Sequence, residues 1–355
     1  MKLFGRKEQA TGEILAGGEN AIANKEVEGL SQGQIVRRRF FHHRAAVIAL
    51  VTLASLILFV MTSLDSKIGP IRIPGWWKWT VEDIPELRYE DCPGGTTGCP
   101  TLSLKPGSSF GLGTHPFGQD DIGRDYFALV MNGARRSLMI MFVIGAVAGF
   151  IGVVVGSLAG FYGKMVDAVL MRLVDFIQTV PTIIIAAVIG KAAGKVGPLY
   201  LALFLGILGW TGLARLVRAQ FLSLREMEFV DAARVAGASN IRIAFKHILP
   251  NAVGQIIVAV TLIMAGAILT ETALSYLGFG VVAPDVSLGL LISQYESSFT
   301  TRPWLFWWPG FFIISIALCV NFIGDGLRDA FDPRQRRRIT KKDREQAKLQ
   351  VKAGE

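Results

Sequence analysis

Glu228-Phe-Val-Asp-Ala-Ala-Arg-Val-Ala-Gly-Ala-Ser-Asn-Ile-Arg-Ile-Ala-Phe-Lys-His-Ile-Leu-Pro250 is a short, charged, alanine-centred island between two long apolar segments. Its residues read as two short helices. The first is expected from Ser223 to Ala236, with Ser223 as N-cap and Glu226 closing a capping box. Gly237 suits the left-handed stop that follows. Ser239 is placed to cap the second helix, which is expected to end at Pro250, where the next span starts. Ala232, Ala233 and Ala236 keep the turn slim enough to enter a groove on another protein. The alternative is an amphipathic loop lying on a membrane.

Outward from the island, six apolar runs stand out: Ala45–Leu64, Leu138–Phe161, Val166–Ile189, Pro198–Val217, Ala252–Leu277 and Leu305–Ile323. Each approaches or exceeds the ~20 residues that cross a ~30 Å hydrocarbon core. In a chain of 355 residues that is 51% hydrophobic, they predict an all-α polytopic membrane protein with six transmembrane helices. The expected segments are a tail over 1–36, a first span over 37–64, an external segment over 65–134, a five-helix core over 135–326 containing the island at 223–250, and a tail over 327–355.

Basic residues set the orientation. Arg37, Arg38, Arg39 and Arg44 precede the first span, and Arg334, Arg336, Arg337, Arg338, Lys341 and Lys342 follow the last. Both termini are therefore expected in the cytoplasm, and parity places Lys164 and the island (Arg225, Arg234, Arg242, Lys246) on the same side. The net charge of +9 sits at these ends, where anionic headgroups attract it, so membrane lipids and not nucleic acid are the expected partner of that charge. The polar first 36 residues hold no apolar core of a cleavable signal, and the first span is expected to remain as an anchor.

The external segment is rich in Pro, Gly and Trp. Trp76, Trp77 and Trp79 fit either a headgroup layer or a small packed loop. Cys92 and Cys99 flank Pro93-Gly94-Gly95 and Gly98, and an oxidising compartment makes them a candidate disulfide. A metal site there is disfavoured, the nearest histidine being His115. Cys319 reads as a small packing residue in the last span. In the second span Gly145, Gly149, Gly152, Gly156 and Gly160 fall on one narrow stripe at about 100° per residue, suited to close helix pairing or to a pore face.

The island resembles the cytoplasmic coupling segment of permease subunits in bacterial ATP-binding-cassette importers. That pattern runs Glu-Ala-Ala, three residues, Gly, nine residues, Ile, any residue, Leu-Pro. Here Asp231-Ala232-Ala233, Gly237 and Leu249-Pro250 match, with Asp in the Glu place and His247 in the Ile place, as in the peptide-transporting branch. His115 to Asp125 with Gly133-Ala-Arg-Arg-Ser137, Asp167 to Asp175 with Pro181, Leu269 to Gly280 and Asn321 to Asp329 are similar to that dipeptide and oligopeptide branch too. The resemblance covers about 37–333 and departs at both tails, at the external insertion, and at Gln119, Ala128 and Leu129, where Thr, Ser and Arg are more usual. It implies the fold of type I importer permeases with a two-helix cytoplasmic coupling segment. Coupling to the ATPases would fall to Glu228, Asp231, Ala232, Ala233, Ala236, Gly237, His247, Leu249 and Pro250. Gly118, Asp120, Gly123, Arg124 and Asp125 carry the motif before the second helix. A second homologous permease, two cytoplasmic ATPases holding ATP and Mg, and an extracytoplasmic peptide-binding protein are the implied partners in a bacterial cytoplasmic membrane.

The chain carries no phosphate loop: Gly163-Lys164 is followed by Met165 and lacks the earlier glycine. No cofactor is expected in this chain, and any ATP motor has to be a separate subunit. An ion-coupled transporter or channel is the rival, since such proteins keep ionisable groups deep in their spans. Asp175 and Glu271 are the only candidates, Asp175 being expected to pair with Arg172 and Glu271 to cap or brace a neighbour. A membrane enzyme is disfavoured, because parity separates His115 from His42, His43 and His247 and no nucleophile–base arrangement stands out.

Overall fold

The computed structural model describes residues 32–331 apart from 69–70, 89–91, 93–95, 103–112 and 194–195. The two tails beyond it, including the basic cluster after the last span, lie outside the described residues. Helix α1 (Gln32–His42) begins inside the predicted polar tail. It bends at His43 into α2 (Arg44–Ser63), where the His43 ring accepts the Ala46 N–H at 3.1 Å. Phe40 of α1 buries against Ala46 and Ala330, which ties the N-terminal helix to the last span. The alternation Ile71-Arg72-Ile73 resolves into a hairpin outside the membrane helices. Strands β1 (Ser66–Ile68) and β2 (Ile71–Ile73) pair antiparallel, with Ser66 opposite Ile73.

Helix α3 (Tyr126–Tyr162) is 37 residues long, about 55 Å at 1.5 Å per residue. It starts twelve residues before the predicted span. Arg135 and Arg136 stop the apolar run at Leu138, yet the turns before them are buried in protein and not in lipid. Tyr126, Phe127, Leu129 and Met131 are wholly enclosed by residues of α2 and of the last two helices.

The third and fourth spans are not straight. Helices α4 (Lys164–Thr179) and α5 (Thr182–Ala193) meet at 74° across Val180-Pro181, where proline removes a helical donor and turns the preceding residue extended. Helices α6 (Pro198–Leu208) and α7 (Thr211–Leu224) meet at 42° across Gly209-Trp210. The described residues thus hold four helices long and apolar enough to cross a membrane, and six spans when each bent pair is one.

Helix α8 (Glu228–Val235) forms the first half of the island. The expected start at Ser223 is wrong: α7 is already running there and continues through Leu224, so Ser223 lies mid-helix and cannot cap. Met227 precedes α8 with no side-chain cap. Nor does the second island helix end at Pro250. Helix α9 runs unbroken from Asn240 to Tyr276, with a π-helical stretch over Ile243–Ile248. Pro250 has no N–H for the preceding turn, and the wider turn, with Leu249 N–H on the Ala244 carbonyl, lets the helix pass it. A further short helix, α10 (Leu288–Tyr295), follows before α11 (Trp304–Phe331).

The glycine stripe of α3 is a packing seam. A Cβ at Gly156 would stand 2.5 Å from the Ala214 carbonyl oxygen and one at Gly152 2.9 Å from Leu213, while Gly149 faces Val260. Without side chains there, α7 and α9 lie directly against α3, the close approach that drives helix association in lipid.

Candidate functional site

The island is an elbow fused to the spans by one face and bare on the other. Val230 and Ala233 of α8 bury against Ile243, Ala244, Ile248 and Ala252 of α9 and against Leu213, Val217 and Phe221 of α7. A push on α8 therefore reaches the fourth and fifth spans through packed side chains. On the opposite side Glu228, Phe229, Asp231, Ala232, Arg234, Val235, Ala236 and Gly237 are exposed, Val235 at 91%. Arg234 and Asp231 pair at 3.1 Å on this surface.

The turn is rigid because its carbonyls are capped. Gly237 N–H donates to the Arg234 carbonyl at 2.9 Å and Ala238 N–H to that of Ala233 at 3.0 Å, the paired bonds of a Schellman stop. Gly237 supplies the required φ of +77°, and a Cβ there would meet nothing within 4 Å of this chain. The expected N-cap at Ser239 is present, its hydroxyl accepting Arg242 N–H at 3.4 Å. His247 is half-buried, and its carbonyl accepts from the Asn251 amide at 2.7 Å. Leu249 is half-buried beneath the elbow and Pro250 exposed.

The motif from Gly118 to Asp125 forms a knot that fixes the N-terminal end of α3. Asp125, wholly buried, caps α3 by accepting Ala128 N–H at 2.9 Å. It also accepts Trp77 Nε1 at 2.7 Å and lies 2.8 Å from His115 Nδ1. Asp120 holds Arg124 at 2.6 Å and the Tyr295 hydroxyl at 3.1 Å, between left-handed turns at Gly118 and Gly123. Burial, and then the neighbouring Asp120 carboxylate, pushes the Tyr295 hydroxyl well above its ordinary range, so it stays a donor. The site residues of this motif come together, but as struts: their polar atoms are spent on each other and on α10. The tryptophans pack as a loop, Trp77 against Phe127 and Trp79 stacked on His115.

Gln119, a departure from the usual pattern, clasps the insertion. Its amide donates to the Glu86 and Gly123 carbonyls, each at 3.0 Å, and accepts Arg88 N–H at 2.9 Å. Cys92 and Cys99 form a disulfide with Cα atoms 5.5 Å apart. Arg135 donates to the carbonyls of Val60, Met61, Leu64 and Asp65, a cation on the negative end of α2.

The two intramembrane acids have partners that sequence did not give them. Asp175 pairs with Arg215 of α7 at 2.6 Å and not with Arg172. Glu271 is enclosed, and its carboxyl accepts from Ser137 at 3.0 Å and Ser275 at 2.8 Å, which braces α3 against α9 as expected. Two ion pairs that sequence reading missed, Asp167–Arg218 and Asp175–Arg215, bind α4 to α7. The acids stand eight residues apart and the bases three, in opposite order along the two helices, so no sequence signal singled these pairs out.

The fold and the site define a multi-span helical membrane protein with an exposed elbow between its fourth and fifth spans. The sequence profile of binding-protein-dependent transport system inner membrane components matches residues 152–337. That of the N-terminal transmembrane domain of oligopeptide transport permease C matches 31–64. The oligopeptide transport system permease protein OppC of Escherichia coli K12 is 37% identical over 318 residues, 90% of this chain and 96% of the relative. OppC of Mycobacterium tuberculosis H37Rv is 36% identical over 87% of this chain and 97% of its own length. A solved inward-facing MetNI methionine ABC transporter aligns with TM-score 0.47 at 20% identity, over 57% of this chain and 96% of its own. The chain belongs to the family of binding-protein-dependent transport system inner membrane components, and is a multi-pass permease of the inner membrane.

Proposed function

We propose that this chain is one of two permease subunits in an ATP-driven importer of di- or oligopeptides, forming half of the translocation pore. The observation that carries the reading is the elbow: a surface bare outward and packed inward on α7 and α9 is built to pass force between a soluble subunit and the spans. Two cytoplasmic ATPases bind ATP and Mg and dock on Glu228–Gly237, one on each permease. Their closure on ATP turns the fourth and fifth spans and opens the pore outward to receive peptide from an extracytoplasmic binding protein, and hydrolysis resets it. Both termini lie in the cytoplasm. Along α4 only Val174 is buried, which leaves wide faces for lipid and for a second homologous permease. The two OppC relatives, nearly as long as this chain, support the peptide cargo.

An ion-coupled carrier is not favoured. Asp175 already has a guanidinium partner and Glu271 is closed in by serines.

The test is uptake of labelled peptide by proteoliposomes holding the two permeases, both ATPases and the binding protein. Replacing Gly237 with Trp should leave the complex in the membrane and its basal ATPase intact, while peptide no longer stimulates hydrolysis and uptake stops. Normal uptake by that variant contradicts the coupling role.

A further inference from the structure

Helix α4 divides its exposed surface into two sectors of opposite chemistry. Arg172, Asp175 and Thr179 are exposed and lie within about 60° of one another on the helical wheel. Val169, Leu173 and Phe176 are exposed too, about 100–160° round from Asp175. The apolar sector suits lipid; the polar one does not. Helix α7 faces it with Arg215, beside which Gly212 and Ala219 are exposed and Leu222 is half-buried.

Depth makes this decisive. Asp175 lies eleven residues beyond Lys164, about 16 Å along α4, and Arg215 nine residues before Leu224, about 14 Å along α7. Those are path lengths along helices whose spans bend by 74° and 42°, so the level is read from packing. Val174 confirms the register, packing with Ala148, Trp210 and Ala214 well inside their own spans. The Asp175 and Arg215 side chains are nonetheless 52% and 48% exposed. Charges half open in this chain at that level do not face hydrocarbon; in the assembly they meet water or the second permease.

We propose that the polar sectors of α4 and α7 form one wall of the aqueous cargo path, with the Asp175–Arg215 pair standing in it as an exchangeable clamp for the charged ends of a peptide. The proposal rests on the peptide-importer reading. A carboxylate and a guanidinium match an ammonium and a carboxylate terminus one for one. The pair is open enough to trade partners, and the trade keeps every charge neutralised while cargo passes the middle of the membrane. In the adjacent Asp167–Arg218 pair both carboxylate oxygens are held by the guanidinium and the acid is only 18% exposed, so it serves as the fixed hinge between the helices.

Two measurements on the complete transporter test this. In a Cys319→Ser background, Thr179→Cys, Gly212→Cys and Phe176→Cys are treated with a charged, membrane-impermeant thiol reagent. Because the reacting thiolate forms only where water reaches it, positions 179 and 212 should label roughly tenfold faster than 176 or more. Equal rates, or faster labelling at 176, overturn the wall. The second measurement compares uptake of one peptide with free and with blocked ends, using the same binding protein throughout. An Asp175→Asn, Arg215→Gln double variant should lose most of the wild-type preference for free ends, and an unchanged ratio overturns the clamp. Labelling does not depend on what is carried, so a transporter that moves no peptide at all would sink the cargo reading while leaving the wall standing.

Discussion

The elbow at Glu228–Gly237 and the knot around Asp120 and Asp125 are built on opposite principles. In the knot, Asp120 and Asp125 are buried and paired within the chain: Trp77 ties the insertion to the start of α3 through Asp125, and Tyr295 of α10 holds Asp120. The elbow turns charged and apolar side chains outward and leaves open space beside Gly237. One end of α3 is thus an anchor, and the elbow is the handle of the proposed coupling. Substitutions in the first should cost stability, and in the second function.

Perturbations of the anchor rank highest in stability. Asp125→Ala strands the Trp77 indole, the His115 ring and the first turn of α3. Buried donors left unsatisfied cost about 1–3 kcal/mol each, so a loss of about 3 kcal/mol or more is expected, read as a drop in melting temperature and in membrane-inserted protein. Replacing Cys92 and Cys99 with serine removes a seven-residue tether, and should cost about 2 kcal/mol by loop entropy. Protease resistance of the external segment checks it, and no change there would break the anchor half of the contrast.

The handle should respond in the reverse order. Gly237→Ala pays the left-handed strain of about 1–2 kcal/mol without any clash, and Gly237→Asn should recover part of it, asparagine tolerating that region; thermal melts of the three proteins decide. Val235→Asp is the smallest structural change, within about 0.5 kcal/mol for so exposed a position. Yet a lost docking contact of about 1.4 kcal/mol weakens ATPase binding roughly tenfold. A melt as depressed as that of Asp125→Ala would erase the distinction between the two regions.

Much of this was legible in sequence, and the misses share a cause. Apolar run lengths exposed the spans because lipid demands continuous hydrophobicity, and the Gly237 stop was readable because only one backbone region satisfies the turn. The capping box at Ser223 failed because a local signal has no force inside a helix already running. The twelve extra residues of α3 were hidden because protein, unlike lipid, accepts Arg135 and Arg136 beside buried turns. Asp175 was matched to Arg172, one turn away, whereas its partner Arg215 lies forty residues on and is near only after α4 folds against α7. Sequence reads local rules well; partners across helices belong to packing.

The coupling role requires the elbow to face the cytosol and to receive the ATPase. Val235→Cys in a Cys319→Ser background is labelled from each side of right-side-out and inverted vesicles holding the permease pair, with the ATPases absent or added. Labelling only from the cytoplasmic face, and its loss when the ATPases are bound, is the predicted result. Labelling from the external face, or labelling indifferent to the ATPases, would contradict it.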